Sequence, residues 1–191
     1  MTAYKNFIQD FPNRCREVLE AFRVPALAMD REVTLLLTAA TPCLLLPYGR
    51  LHEEEHPSND RENIVSETST FDIELQKECG KSCLLSEFKD EDWRYKKLDN
   101  LQGDLDAWGL KEDTESISAI KTETVLNILR NALAHGNVWT TGNPIDTLVF
   151  VSLVCLKKKE GPFNTLQCSP QVFEQSLMNW VVFLNSLKLQ C

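Results

Sequence analysis

The residues of this sequence that could do chemistry together are Arg130, Asn131 and His135, in the segment TVLNILRNALAHGNVW. A helical repeat of about 3.6 residues puts Asn131 and His135 on one face, with Arg130 about 100° away from Asn131. Arginine can hold two phosphate oxygens at once, and histidine can exchange a proton near neutral pH. These residue types at this spacing indicate chemistry on a phosphate.

Two features of the segment favour a histidine that moves protons. An asparagine one turn earlier can hold the imidazole by a hydrogen bond, and the C-terminal end of a helix stabilises protonated His135. The alternative is structural: His135 caps carbonyls at the helix end and Arg130 makes a surface ion pair. Spacing alone favours that alternative, because an arginine and a histidine at this separation often occur by chance.

The helix that would position these residues has a cap candidate at Asp113 or Thr114, followed by apolar residues at three- and four-residue spacing. Gly136 can adopt the left-handed conformation of a C-terminal cap. The helix is therefore predicted to end just past His135.

Three further helices are predicted before it. The first begins near Asp10, with a proline in its first turn, and ends at Pro25. The second, LAMDREVTLLLTAATPCLLL, is apolar on nearly every face, as expected of a helix buried among others. It is predicted to kink at Pro42 and to stop at Pro47. The third runs from about Glu67 to Glu78.

Three β-rich runs follow the histidine: NVWTT, DTLVFVSLVCL and FNTLQCS. The last helix then starts with Ser169 as its cap and Pro170 at its first position. The pattern predicts a mainly α fold with a small β element, about 138–168, before the last helix. The segment about 47–110 is predicted to be irregular.

Length and composition are those of one globular domain, residues 1–191. The net charge of -8 supplies no global field for a polyphosphate, so RNA would need a local basic patch. The N-terminus has no signal-peptide pattern, and the longest apolar stretch falls short of the roughly 20 residues that span a bilayer. Seven scattered cysteines fit reduced thiols. We expect a cytoplasmic protein that does not enter a membrane.

The segment RNALAH resembles the signature of the HEPN family, in which an arginine is followed after four to six residues by a histidine, often with a polar residue straight after the arginine. Arg130, Asn131 and His135 match these positions. From FPNRC and REVTLLL through ILRNALAHGNVWT to LVFVSL, the chain is similar to the small plasmid-encoded HEPN proteins. The resemblance covers most of the length.

The resemblance implies an up-and-down helical bundle that forms a homodimer, with two arginines and two histidines lining a shared cleft. Active members are metal-independent endoribonucleases that need no cofactor, often toxins of bacterial defence or toxin-antitoxin systems. It follows that Arg130, Asn131 and His135 are expected to be catalytic, RNA to be the substrate, and an antitoxin or a nucleotidyltransferase to be a partner. The alternative is a non-catalytic HEPN module that binds nucleotides, RNA or another protein.

Other motifs carry competing hypotheses. HEEEH, with His52, Glu53 and His56, satisfies the zinc-peptidase pattern, but nearby prolines favour a solvated loop over a rigid helix. CGKSC lacks the earlier glycine and the preceding strand of a phosphate-binding loop, which favours a helix end with two free thiols. The basic runs RYKK and Lys157–Lys159 could contact RNA, but such runs are more often solvated surface.

Overall fold

The computed structural model of the chain describes residues 7–51, 71–85, 88–101, 104–110, 112–153 and 162–187. In chain order the α-helices and β-strands are α1 Phe7–Ala28, α2 Glu32–Leu51, α3, of which residues 71–76 are described, β1 Arg94–Leu98, α4 Thr122–His135, β2 Val138–Thr141, β3 Thr147–Leu153, β4 Phe163–Cys168 and α5 Pro170–Ser186. The protein is mainly α with a small antiparallel sheet, which confirms the predicted fold class.

The main core lies between the long helices and one face of the sheet. Trp180 of α5 is 1 % exposed, and its indole nitrogen donates a hydrogen bond to the Cys43 carbonyl of α2 at 3.0 Å. Phe173 of α5 packs against Phe150 of β3, with ring centroids 4.8 Å apart. Buried aromatic rings supply much of the area removed from water, so these contacts join α2, α5 and the sheet into one core.

Both N-terminal helices continue past the prolines that predict their ends. α1 runs through Pro25 to Ala28 and α2 runs through Pro47 to Leu51, so the predicted stops at these prolines were wrong. Pro47, Tyr48 and Leu51 are buried. Burying a large apolar side chain contributes about 1.5–3 kcal/mol, enough for a few such residues to offset the roughly 3 kcal/mol cost of an interior proline.

Of the described helices, α2 is long and apolar enough to cross a membrane, and its most apolar window has a mean hydropathy of 1.3. Within that window 44 % of the residues are buried. Its buried side lies against α1, α4 and α5. Core helices of soluble proteins pass the same test of length and composition.

α4 begins at Thr122, later than the predicted cap at Asp113 or Thr114. The preceding residues form only a short 3-10 turn at Ile117–Ala119, which is followed by tertiary hydrogen bonds. The Cys79 amide donates to the Ile120 carbonyl at 2.8 Å, and the Thr122 amide donates to a carbonyl at residue 77. Because these partners are distant in sequence, helical periodicity could not locate the start of α4.

The sheet has the strand order β1-β4-β3-β2, with every neighbouring pair antiparallel. β2, β3 and β4 confirm the predicted β-rich runs, whereas β1 was missed. The hairpin between β2 and β3 turns at Gly142, where φ is 88° and a Cβ would lie 2.7 Å from the Asp146 carboxyl group. The helical residues 71–76 fall within the predicted third helix, whereas β1 is a regular element inside the segment that was predicted to be irregular.

Candidate functional site

α4 carries all three candidate residues, and it ends where its sequence predicts. Gly136 adopts φ 68° and ψ 22°, which is the left-handed conformation of a helix cap. The amide of Asn137 then donates to the Ala132 carbonyl at 2.8 Å. These bonds satisfy carbonyls that the last turn leaves open, so His135 is the final helical residue.

Arg130 points from α4 toward α2. Its guanidinium carbon lies 5.6 Å from the centroid of the Tyr48 ring, within the range of a cation–π contact. The Tyr48 hydroxyl donates to Asn127 Oδ1 at 2.9 Å, so the tyrosine is bonded to the same helix that carries the arginine. The edge of the Phe71 ring meets Tyr48 at 81°, with centroids 5.8 Å apart. Arg130 is half-buried in this arrangement.

Asn131 points toward the sheet. Its Nδ2 donates to Ser152 Oγ on β3 at 3.1 Å, and Ser152 is 5 % exposed. The described residues include no hydrogen bond between Asn131 and His135, so the predicted support of the imidazole is not formed in this arrangement. Asn131 instead connects α4 to the second strand of the hairpin.

His135 is exposed at the C-terminal end of α4. It lies five positions after Arg130, which corresponds to about 140° around the helix and about 7.5 Å along its axis. Arg130 lies against α2 and His135 faces solvent, so one chain does not turn both side chains to the same side of α4.

The CGKSC segment forms a short turn organised by Glu74, with Cys79 buried and Cys83 exposed. Glu74 accepts hydrogen bonds from Ser82 Oγ at 3.0 Å and from the Cys83 amide at 2.9 Å. Burial raises the pKa of the Cys79 thiol to about 12, and burial and Glu74 raise the pKa of Cys83. Both thiols are free, as predicted, and neither is activated as a nucleophile.

The other sequence motifs offer little to a second site. RYKK forms β1, where Lys96 Nζ donates to the carbonyls of Gly109 and Glu112 at 2.9 and 3.1 Å. HEEEH and Lys157–Lys159 lie outside the described residues. In the described ranges, no group of three or more His, Cys, Asp and Glu side chains is arranged to hold a metal ion.

Sequence reasoning missed three residues that contact the candidate site: Tyr48, Asn127 and Ser152. Asn127 could have been found, because it precedes Arg130 by three positions and therefore shares its side of a helix. Tyr48 and Ser152 come from α2 and β3. No local pattern indicates which tyrosine or serine packs against α4.

A family model described as HEPN pEK499 p136 matches residues 1–154 of the chain. The matched range includes all of α4 together with Tyr48 and Ser152. No match was found among curated proteins or among solved structures.

Proposed function

The chain belongs to the HEPN pEK499 p136 family, and we propose that it is a metal-independent endoribonuclease. The observation that carries this proposal is that Arg130 and His135 both lie in the last two turns of one capped helix. Arg130 is held against an aromatic ring and His135 is exposed to solvent. A fixed cation and an accessible proton carrier are the groups that RNA cleavage requires.

The proposed reaction is an internal phosphoryl transfer. The ribose 2′-oxygen attacks the adjacent phosphorus, a new P–O2′ bond forms, and the P–O5′ bond breaks. His135 takes the proton from the 2′-hydroxyl or gives a proton to the departing O5′. The products therefore carry a 2′,3′-cyclic phosphate and a 5′-hydroxyl. Arg130 offsets the negative charge that develops on the phosphate oxygens. No metal is required to generate the nucleophile, because the 2′-oxygen is already tethered beside the phosphorus.

The angular separation of Arg130 and His135 supports a homodimer with a composite site. At about 140° around α4, the two side chains of one chain diverge, whereas a second copy could bring its histidine beside the first copy's arginine. Mixing the Arg130→Ala and His135→Ala proteins tests this. Heterodimers would regain one intact pair, and the mixture would recover about a quarter of the native rate. Absence of any recovery would contradict pairing between chains.

Family membership also guides the biological part of the proposal. We propose a cytoplasmic toxin or defence effector that is restrained by an antitoxin or a nucleotidyltransferase partner. The five described cysteines are free, as expected of a reducing compartment. The test is to express the protein in bacteria with and without His135→Ala. Growth arrest that depends on the histidine supports the proposal, and equal growth contradicts it.

A second candidate function is a non-catalytic interaction module. The second half of α1 exposes several large apolar side chains, which is a common property of protein-binding surfaces. They are Val18, Phe22, Val24 and Leu27, and Met29 directly after the helix is exposed as well. On this hypothesis RNA or a nucleotide could bind near Arg130, but it would be recovered unchanged.

The deciding experiment is cleavage of a total RNA pool by purified protein in EDTA, with His135→Ala and His56→Ala proteins prepared identically. The endoribonuclease proposal expects new 2′,3′-cyclic ends from the native and His56→Ala proteins only. Equal cutting by the His135→Ala protein would reject it. Cutting that appears only in a parallel assay without EDTA, and that is lost in the His56→Ala protein, would instead support a zinc hydrolase built on HEEEH.

A further inference from the structure

Tyr48 connects α2 to α4 by two separate contacts. Its hydroxyl is bonded to Asn127, and its ring lies beneath the guanidinium of Arg130. We propose that Tyr48 is a positioning residue that holds Arg130 in the orientation in which it meets the RNA phosphate. This inference rests on the proposed endoribonuclease function and adds a residue that lies 82 positions earlier in the chain.

The geometry fixes the tyrosine ring from two directions. The hydroxyl group is anchored to α4 by the 2.9 Å bond to Asn127, while Phe71 meets the ring edge to face. Tyr48 is 3 % exposed, so the surrounding core also restricts its rotation. A ring held in this way presents a stationary face to Arg130.

A stationary ring face matters because arginine is a long and mobile side chain. Asn127 and Arg130 are three residues apart, so the anchor and the cation lie on the same side of α4. The ring restricts where the guanidinium can be before substrate arrives, which reduces the ordering required during the reaction. Tyr48 would thus raise the rate of the cleavage step more than it raises the affinity for RNA.

The chain contains a matched control in Tyr95 of β1. Tyr95 is 1 % exposed, its hydroxyl donates to Asn164 Oδ1 at 2.9 Å, and Lys97 Nζ lies 5.7 Å from its ring centroid. Substituting Tyr95 removes the same types of contact, but their partners, Asn164 and Lys97, lie on β4 and β1 instead of on α4. It therefore separates a general loss of packing from a specific effect on Arg130.

The test compares Tyr48→Met and Tyr48→Phe with Tyr95→Met and Tyr95→Phe in single-turnover cleavage of a total RNA pool. Tyr48→Met removes the ring, and at saturating protein we expect a rate about 3- to 30-fold lower, the range that a cation–π contact is worth. Tyr48→Phe keeps the ring and should lose less than about threefold. Both Tyr95 variants should cut within about twofold of the native protein.

A second readout does not depend on activity. The side-chain Nε–Hε signal of Arg130, assigned by its disappearance in Arg130→Lys, should carry a ring-current shift from Tyr48. We expect the shift to be lost in Tyr48→Met and retained in Tyr48→Phe and Tyr95→Met. If Tyr48→Met does not fold, Tyr48→Leu removes the ring with a different aliphatic side chain and should lose the same shift.

The two readouts separate failure of this inference from failure of the proposed function. If the native protein cuts no RNA but the shift depends on Tyr48, the function is wrong and the positioning is right. If the Arg130 signal is unchanged in folded Tyr48→Met, the positioning is wrong whatever the activity. The inference is also overturned if Tyr95→Met slows cleavage as much as Tyr48→Met does.

Discussion

Two regions of this protein contain the same local arrangement in different surroundings. Between α2 and α4, buried Tyr48 donates to Asn127 and lies under the cation of Arg130. In the sheet, buried Tyr95 donates to Asn164 and lies near the cation of a lysine. The tyrosine–asparagine distances are both 2.9 Å, and the cations lie 5.6 and 5.7 Å from the ring centroids.

The two regions differ in the cation and in what lies beside it. Lys97 is exposed on a strand and forms an ion pair with Glu115 at 3.4 Å, so a carboxylate already balances its charge. Arg130 is half-buried on a helix that ends five residues later in an exposed histidine. A tyrosine–asparagine–cation cluster is therefore not a functional signal by itself. Its neighbours on the same element determine what it can do.

Removing the two cations should give the largest difference between the regions. Arg130→Ala is expected to slow RNA cleavage by at least about 100-fold, the usual cost of losing one group that stabilises transition-state charge. The cleavage rate of Lys97→Ala should stay within about twofold of the native rate, because Lys97 is a surface residue paired with Glu115. Single-turnover cleavage of the RNA pool measures both.

Arg130→Lys sharpens this result. It keeps the positive charge but loses the planar fork that holds two phosphate oxygens, so we expect little recovery of the rate. Full activity in the lysine variant would mean that charge alone is needed. Equal losses in Lys97→Ala and Arg130→Ala would remove the functional distinction between the two regions.

Removing the two asparagines should destabilise both regions alike. Asn127→Ala and Asn164→Ala each leave a buried tyrosine hydroxyl without its acceptor, at a cost of about 1–3 kcal/mol. Urea-induced unfolding should show similar losses in the free energy of unfolding. Only Asn127→Ala should also slow cleavage at a temperature where both variants are fully folded. A slow Asn164→Ala protein under those conditions would count against the comparison.

The sequence predicts the elements of this fold better than it predicts their ends. Gly136 and Ser169 are local signals, since a left-handed cap and an N-terminal cap act within one turn, and both mark helix ends correctly. Pro25 and Pro47 were wrongly predicted to end their helices, because packing against other helices compensates for the backbone hydrogen bonds that the prolines remove. β1 was missed because its apolar pattern is short and its partner, β4, follows about 70 residues later.

In the candidate site, too, local sequence signals were sufficient for some residues and not for others. Arg130, Asn131 and His135 were found because they lie within one turn and a half of a single helix. Their surroundings could not be found, because Tyr48 and Ser152 reach α4 only after α2 and β3 pack against it. The direction in which Asn131 points was mistaken for the same reason: a helix position gives a face but not the partner on that face.

The hydrogen bond between Asn131 and Ser152 connects the two regions, and its loss should have a smaller effect. Asn131→Ala and Ser152→Ala are each expected to lower the free energy of unfolding by about 0.5–1.5 kcal/mol. The double variant should lose less than the sum, because both changes remove one bond. If Asn131→Ala slows cleavage well beyond Ser152→Ala, Asn131 has a role in the reaction apart from this bond.

The smallest expected effect concerns the charge of Lys97 in alkaline solution. Tyr95 and then Glu115 attract this ammonium group and raise its pKa. Because the folded pKa lies above the unfolded value of about 10.4, the stabilisation is complete below that pH and is lost as the pH rises through the folded pKa. Lys97→Met should cost less than about 1 kcal/mol at pH 9, since the side chain is 57 % exposed and solvent screens its charge.

This difference between native protein and Lys97→Met, measured by urea unfolding, should vanish as the pH is raised past the folded pKa of Lys97. An equivalent Arg130→Met difference should persist, because a guanidinium stays charged over the same range. Burial raises the pKa of Tyr95 and Lys97 lowers it, so the Tyr95 ionisation differs between the native protein and Lys97→Met. The comparison is therefore made above the folded pKa of Lys97, where the attraction has been lost in the native protein as well. A Lys97 effect that survives at high pH would show that its methylene chain, and not its charge, packs on Tyr95. Lys97 would then act on its tyrosine through apolar packing, whereas Arg130 acts on Tyr48 through its charge.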